Sequence, residues 1–266
     1  MGKSETRDQQ KSFYEDFWQA QVEIACDEKC RLRFILGELR RLIKSFSGQE
    51  ATAPETQRAQ AGSTSPQAKA ARPRIADVGC GRGWLTQLLS RFGEVTGFDR
   101  SVTEAKKRYP SINFVECDIL EIPPDDFDVA VCSEVIEHVR KEDQPKLIET
   151  LFSILRPGGA LILTTPNAPR SSQIVNALSL QEKLQPIEDW LDADSLKRLV
   201  ARRFDVEKIV TVMFFPIAFK KIGPVSRIYR AVYEQMGTYR VLDTVLQRTR
   251  CGFYICLAGT RKDANA

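Results

Sequence analysis

Apolar positions along this chain change rhythm twice, and each change marks a different kind of structure. In residues 11–46 they recur every three or four places: Phe13 with Phe17, Tyr14 with Trp18, then Leu32, Ile35, Leu36, Leu39, Ile43 and Phe46. That spacing predicts a helix. Either it packs on the main domain, or its aromatic start forms a lid over a ligand. From Ser47 to Pro73 the rhythm stops. The stretch holds no Val, Ile, Leu, Met, Phe, Trp, Tyr or Cys and is rich in Ala, Gln, Ser, Thr and Pro. It buries too little apolar area to offset its ordering entropy and reads as a disordered linker.

From Arg74 onward, short apolar runs alternate with helical segments, the pattern of a parallel α/β sheet. Strands are predicted at 74–78, 94–99, 112–116, 127–132, 159–165, 204–211 and 252–260, and helices at 82–91, 101–109, 143–155 and 192–203. The chain therefore divides into an N-terminal helical segment (1–46), a linker (47–73) and an α/β domain (74–262). Within that domain, residues 214–250 form an insertion that a minimal sheet does not need. Its seven basic residues (Lys220, Lys221, Arg227, Arg230, Arg240, Arg248, Arg250) stand against Glu234 and Asp243, so seven minus two gives a local charge of +5. Apolar residues such as Phe215, Ile217, Phe219, Ile222 and Ile228 are interleaved. This helical, basic amphipathic insertion is either a cap with its charges in solvent or a peripheral contact with anionic membrane and lipid-linked substrate.

Composition narrows the classes. The 266 residues carry 39 Lys and Arg against 35 Asp and Glu, a net charge of +4. That balance is too mild to indicate nucleic acid, no RNA-binding module accompanies it, and no nucleic-acid partner is expected. Seven cysteines without a Cys-x-x-Cys pair, and the single histidine His138, argue against a zinc site and a disulfide framework. A reducing cytoplasm is the expected location. The start Met1-Gly2-Lys3-Ser4-Glu5-Thr6 lacks the apolar core of a signal peptide, and its match to a myristoylation pattern is one that arises often by chance. No run of 18 apolar residues offers a membrane span.

Candidate chemistry gathers where the first strand runs into Gly79-Cys80-Gly81-Arg82-Gly83 and then a helix. Glycines there allow a tight turn and close approach of a ligand to the backbone, with the first N–H groups of the helix facing it. Asp99 ends the second strand twenty residues after Gly79, the position from which a carboxylate accepts hydrogen bonds from two ribose hydroxyls. Asp99 or Ser101 could equally cap helix 101–109. A dinucleotide turn asks for glycine where Trp84 stands, and no Gly-Lys-Ser/Thr follows, so neither a pyrophosphate turn nor a P-loop is present.

Five stretches, Ile75-Ala76-Asp77-Val78-Gly79-Cys80-Gly81-Arg82-Gly83, Val95-Thr96-Gly97-Phe98-Asp99-Arg100, Val115-Glu116-Cys117-Asp118-Ile119, Phe127 through Val139 and Leu155-Arg156-Pro157-Gly158-Gly159, come in an order that resembles the class I methyltransferases dependent on S-adenosylmethionine (SAM). The likeness covers residues 74 to 170, and the Glu-x-x-Glu-His-Val block is most similar to the quinone-pathway O-methyltransferases and their relatives acting on sugars and lipids. It implies a Rossmann-like, doubly wound, seven-stranded sheet with an antiparallel last strand, and SAM as cofactor. It further implies that Asp77 meets the methionine amino group, that Gly79 and Gly81 line the methionine and ribose, and that Asp99 holds the ribose hydroxyls. Arg100 would lie beside the adenine, Asp118 would bind its amino group, Ile119 would pack near the ring, and Ser133 would pass the methionine end.

The expected activity is methyl transfer to an oxygen of a small-molecule or lipid-linked acceptor. N-methylation of a small amine and a non-catalytic SAM-binding regulatory or assembly subunit are the alternatives. An oxygen acceptor must lose a proton, and His138, after the fourth strand, is the catalytic candidate because histidine titrates near neutral pH. It could instead orient the acceptor or only hold a loop against Glu134 or Glu137. Those two glutamates lack further acidic company, so no metal is expected. Arg156-Pro157-Gly158-Gly159 reads as a turn, and Asn167 as a candidate acceptor contact.

Overall fold

The computed structural model describes residues 26–52, 72–169, 187–213 and 249–263, with Thr244, Val245 and Gln247. The aromatic start of the N-terminal helix, residues 53–71 of the expected linker and nearly all of the basic insertion lie outside these. Seven strands form one sheet in the order β3-β2-β1-β4-β5-β7-β6: β1 Arg74–Val78, β2 Glu94–Asp99, β3 Asn113–Glu116, β4 Phe127–Ser133, β5 Leu155–Pro166, β6 Phe204–Val212 and β7 Tyr254–Arg261. The first five pair in parallel, and β7 runs antiparallel between β5 and β6. The Rossmann-like sheet with an antiparallel last strand is therefore present. The chain reverses from β1 to β4 beside β2, and the ends of those strands form the crevice where open α/β sheets bind ligands.

Two apolar layers cover the sheet. On one face Ala76, Val78, Ala130, Leu161, Leu163 and Leu257 pack against α4 (Gln144–Ser153) and α5 (Ala193–Val200). On the other, Ile75, Val129, Val131, Ile162 and Cys256 pack against α1 (Cys26–Thr52) and α2 (Trp84–Leu89). The short α3 (Thr103–Arg108) closes over Phe114 through Ala105. Burial on both faces explains why the central strands read as continuous apolar runs.

The α1 stripe Cys30, Phe34, Ile35, Leu39 and Leu42 is buried against the sheet, so this helix packs on the main domain. Its polar side is tied to β6: Glu38 meets Lys208 at 2.7 Å and Arg41 meets Glu207 at 2.8 Å. The helix continues to Thr52, past Phe46 where the apolar rhythm ends. Helix α3 starts at Thr103 with Val102 at its cap, two residues later than the spacing predicts, and Asp99 bonds Ser101 ahead of it instead of capping it. Arg156-Pro157-Gly158-Gly159 lies within β5 as an irregularity. Phe127 pairs Leu155 while Val129 pairs Ala160, with Gly158 at φ 70° absorbing the extra residues.

Candidate active site

The turn after β1 places three glycines in the left-handed region: Gly79 at φ 78°, Gly81 at 51° and Gly83 at 78°. A side chain at Gly79 is forbidden by space as well, since an added Cβ would lie 2.3 Å from Val135 Cγ2. Val135 thus props the turn from beneath, linking the first strand's loop to the fourth's. The Gly81 N–H donates to Asp99 Oδ2 at 2.9 Å, and Ser101 N–H donates to Oδ1 at 3.1 Å. Each carboxylate oxygen accepts more than one hydrogen bond, so Asp99 can brace the turn and still receive ribose hydroxyls. Burial pushes its carboxyl above the usual range, opposed by those backbone donors.

Asp77 is buried and accepts from Thr86 Oγ1 at 2.6 Å. Desolvation pushes it up to about 7 despite that bond. Arg100 and Asp118 form an ion pair at 3.2 Å, and Leu120 N–H donates to Asp118 Oδ1 at 3.1 Å. Ile119 is buried among Ala76, Phe98 and Ile122. Asp77, Gly79, Gly81, Asp99, Arg100, Asp118 and Ile119 therefore stand together at one end of β1, β2 and β3.

Beyond β4 the chain turns at Glu134, a non-glycine residue at φ 58°, a conformation that costs about 1–3 kcal/mol and persists where its surroundings enforce it. Here Glu134 N–H donates to Thr164 O at 2.9 Å, and the Thr164 hydroxyl donates to Glu134 Oε1 at 3.0 Å. The Ser133 and Thr164 hydroxyls share a 2.8 Å bond. From α1, Arg31 brings a cation 3.3 Å from Glu134 and stacks 4.6 Å above the Tyr254 ring. Glu137 is 2% exposed and accepts from Thr165 Oγ1 at 2.9 Å. Burial pushes both glutamates up to about 8.

His138 closes a 3-10 turn, Ile136–His138. Its Nδ1 lies 3.0 Å from the Ile187 carbonyl oxygen. A carbonyl only accepts, so Nδ1 carries the proton and the neutral ring keeps its lone pair on Nε2. Asn167 is buried and gives its Nδ2 hydrogens to the carbonyls of Arg250 (3.1 Å) and Gly252 (2.9 Å). That amide holds the start of β7 in place of an acceptor.

Sequence reading passed over Arg31, Thr86, Thr164 and Thr165. Arg31 had one available signal: it lies three and four places before Phe34 and Ile35, a charge inside an apolar stripe. The threonines gave none, because their partners come from other strands.

A model described as a methyltransferase domain matches residues 33–207, more than half of the chain. The chain belongs to the class I SAM-dependent methyltransferases. It is similar to the ubiquinone biosynthesis O-methyltransferase of Coxiella burnetii, 35% identical over 104 residues, covering 35% of this chain and 43% of that one. A probable SAM-dependent methyltransferase of Mycolicibacterium smegmatis is 33% identical over 139 residues, covering 44% and 53%. The chain thus spans about half the length of the curated relatives it matches. In fold it resembles a putative methyltransferase of Haloferax volcanii, solved with the Trm112 methyltransferase activator. That match has a TM-score of 0.53 at 15% identity and covers 73% of this chain and 84% of the other.

Proposed function

We propose that this methyltransferase moves a methyl group to an oxygen of a small-molecule or lipid-linked acceptor, with His138 taking the acceptor's proton. The observation carrying this reading is the 3.0 Å contact between His138 Nδ1 and the Ile187 carbonyl, which leaves Nε2 as the basic nitrogen. Bound SAM supplies a methyl group made electrophilic by its sulfonium.

The donor set suits that cofactor. Carboxyls at 77, 99 and 118 meet an ammonium, a ribose diol and an adenine amino group respectively, while the positive-φ glycines, their N–H groups committed to Phe98, Asp99 and Cys80, let the ligand approach the backbone closely. An ammonium beside Asp77 would draw its carboxyl back toward the ionised form. Arg31 is the buried cation suited to a methionine carboxylate, with Ser133 close to the same end. Ile119 gives the adenine an apolar wall. Gly79, Gly81 and Arg100 complete the set.

The ubiquinone relatives support oxygen as the acceptor atom. The Glu188 carboxylate beside His138 favours a second reading, a cationic amine acceptor. Tritiated SAM offered with cell extract separates them. The expected result is label in an O-methyl product of the lipid or small-molecule fraction. Label only as N-methyl groups, or no transfer at all, sinks the leading reading, and the latter favours a SAM-binding assembly subunit. For the insertion 214–250 we propose surface contact with anionic lipid. Flotation with anionic vesicles should be lost at high salt, and absence of flotation at low salt removes that idea. Among the described residues no helix is long and apolar enough to cross a membrane.

A further inference from the structure

The acceptor side contains a carboxylate that the preceding reading does not use. Residues 187–191 run alongside the 3-10 turn that ends at His138. Asp189 N–H donates to the Glu137 carbonyl at 2.8 Å, Lys141 N–H donates to Asp189 Oδ2 at 2.9 Å, and Ala168 N–H donates to the Leu191 carbonyl at 2.9 Å. The buried Gln144 amide spans both segments. Its Nε2 lies 3.2 Å from the Ile136 carbonyl, 3.3 Å from that of Val139 and 2.9 Å from that of Asp189. The two segments are laced into one unit.

That lacing sets Glu188 against the protonated side of the imidazole. Glu188 Oε1 lies 3.9 Å from His138 Nδ1, and its other oxygen accepts the Trp190 indole N–H at 2.6 Å. Both side chains are only 15% exposed. We infer that Glu188, oriented by Trp190, is the positioning residue for His138: its charge on the Nδ1 side favours the tautomer in which Nδ1 donates to the Ile187 carbonyl, and it balances the imidazolium once Nε2 has taken a proton.

In that step the acceptor's O–H bond breaks and its electrons stay on oxygen. An N–H bond forms at Nε2, and the imidazolium afterwards returns the proton to water. Other charged groups surround the ring. Glu137 Oε1 lies 3.9 Å from Nε2, and Glu134 senses the ring from the end of β4. Both are pushed up to about 8 and so hold protons at neutral pH. Arg31 faces the same two carboxyls. Glu188 sits outside that buried pair, on the Nδ1 side.

The inference rests on the base assigned to His138, but its test does not require turnover. His138 is the only histidine, so nitrogen NMR of the untagged, full-length protein shows a single imidazole. In the wild type the neutral ring should show a protonated Nδ1 and a lone pair on Nε2. Glu188→Gln should raise the fraction of the other tautomer severalfold, as expected for loss of a charge on the Nδ1 side. Trp190→Phe, which keeps the carboxylate and releases its anchor, should move the ratio the same way by less, and it serves if Glu188→Gln does not fold. SAM affinity measured by calorimetry should stay within about twofold in both variants, since neither touches the nucleoside end. A wild-type ring protonated on Nε2, or a tautomer ratio unchanged from wild type in both variants, overturns the inference. Signals that move as stated in a protein that transfers no methyl would instead sink the proposed function and leave the pair standing.

Discussion

At the end of the site formed by β1, β2 and β3, Asp99 is held by the N–H groups of Gly81 and Ser101, and Asp118 by Leu120 and Arg100, all within twenty residues along the chain. At the acceptor end the partners are distant. Glu134 meets Arg31 and Thr164, Glu137 meets Thr165, and His138 meets Ile187. Ionisation differs as well. Burial raises Asp99, opposed by the backbone N–H groups of Ser101 and Gly81, whereas burial pushes Glu134 and Glu137 up to about 8. The first end is a property of local chain geometry. The second exists only when the whole sheet and α1 are assembled.

The largest expected effect separates the two ends. His138→Gln should lower kcat by about 10²–10⁴-fold, the usual contribution of a general base, while SAM affinity by calorimetry stays unchanged. Full activity across pH would remove the base. Next in size, Gly79→Ala puts a methyl group into Val135 at a backbone angle that disfavours it. Denaturant unfolding should register a loss of about 2–4 kcal/mol. Adding Val135→Ala should restore part of it, because this contact joins the two ends.

Asp99→Ala should weaken SAM binding by about 100-fold, as for a lost charged hydrogen-bonding group worth about 1.5–3 kcal/mol, with the acceptor end unaffected. Equal binding would refute the ribose assignment.

The smallest effect is on pH. Folded Asp77 keeps its proton to about 7, and Glu134 and Glu137 to about 8, whereas the unfolded chain releases these protons near 3.8 and 4.5. Between those limits the folded state binds more protons, so stability is fullest in acid and falls as pH rises toward 8. Melting of the cofactor-free protein at pH 5, 6.5 and 8 should show a falling Tm, flatter in Glu137→Gln. A Tm that climbs over this range contradicts the burial of these carboxyls.

The same contrast explains what the amino-acid sequence revealed. The central strands β4 and β5 were legible because burial on both faces writes itself as near-continuous apolar runs, and the glycine turn because three positive φ angles demand glycine. Asp99 was legible because it ends β2 twenty residues after Gly79, and Asp118 only through the resemblance to the methyltransferase family. Arg31 and the 187–191 segment were not. Their roles depend on which distant elements the sheet order brings together, and no local pattern encodes that. Asn167 was read toward the acceptor because it ends β5 on the ligand side, but its amide is committed to the carbonyls ahead of β7. Arg156 to Gly159 looked like a turn because proline and glycine also serve an irregular strand.

One pair of backbone contacts bears on how such a protein diversifies. Phe253 N–H donates to the Met213 carbonyl at 2.9 Å, and Gly252 N–H donates to Thr211 Oγ1 at 3.0 Å. The chain therefore leaves β6 and re-enters β7 through a closed neck. A segment hung from such a neck can be lengthened, trimmed or exchanged with little disturbance to the sheet, since doubling a flexible loop adds only about 0.6 kcal/mol of closure entropy. A descendant could thus acquire a new clientele by replacing the basic segment between these two strands while inheriting the sheet intact.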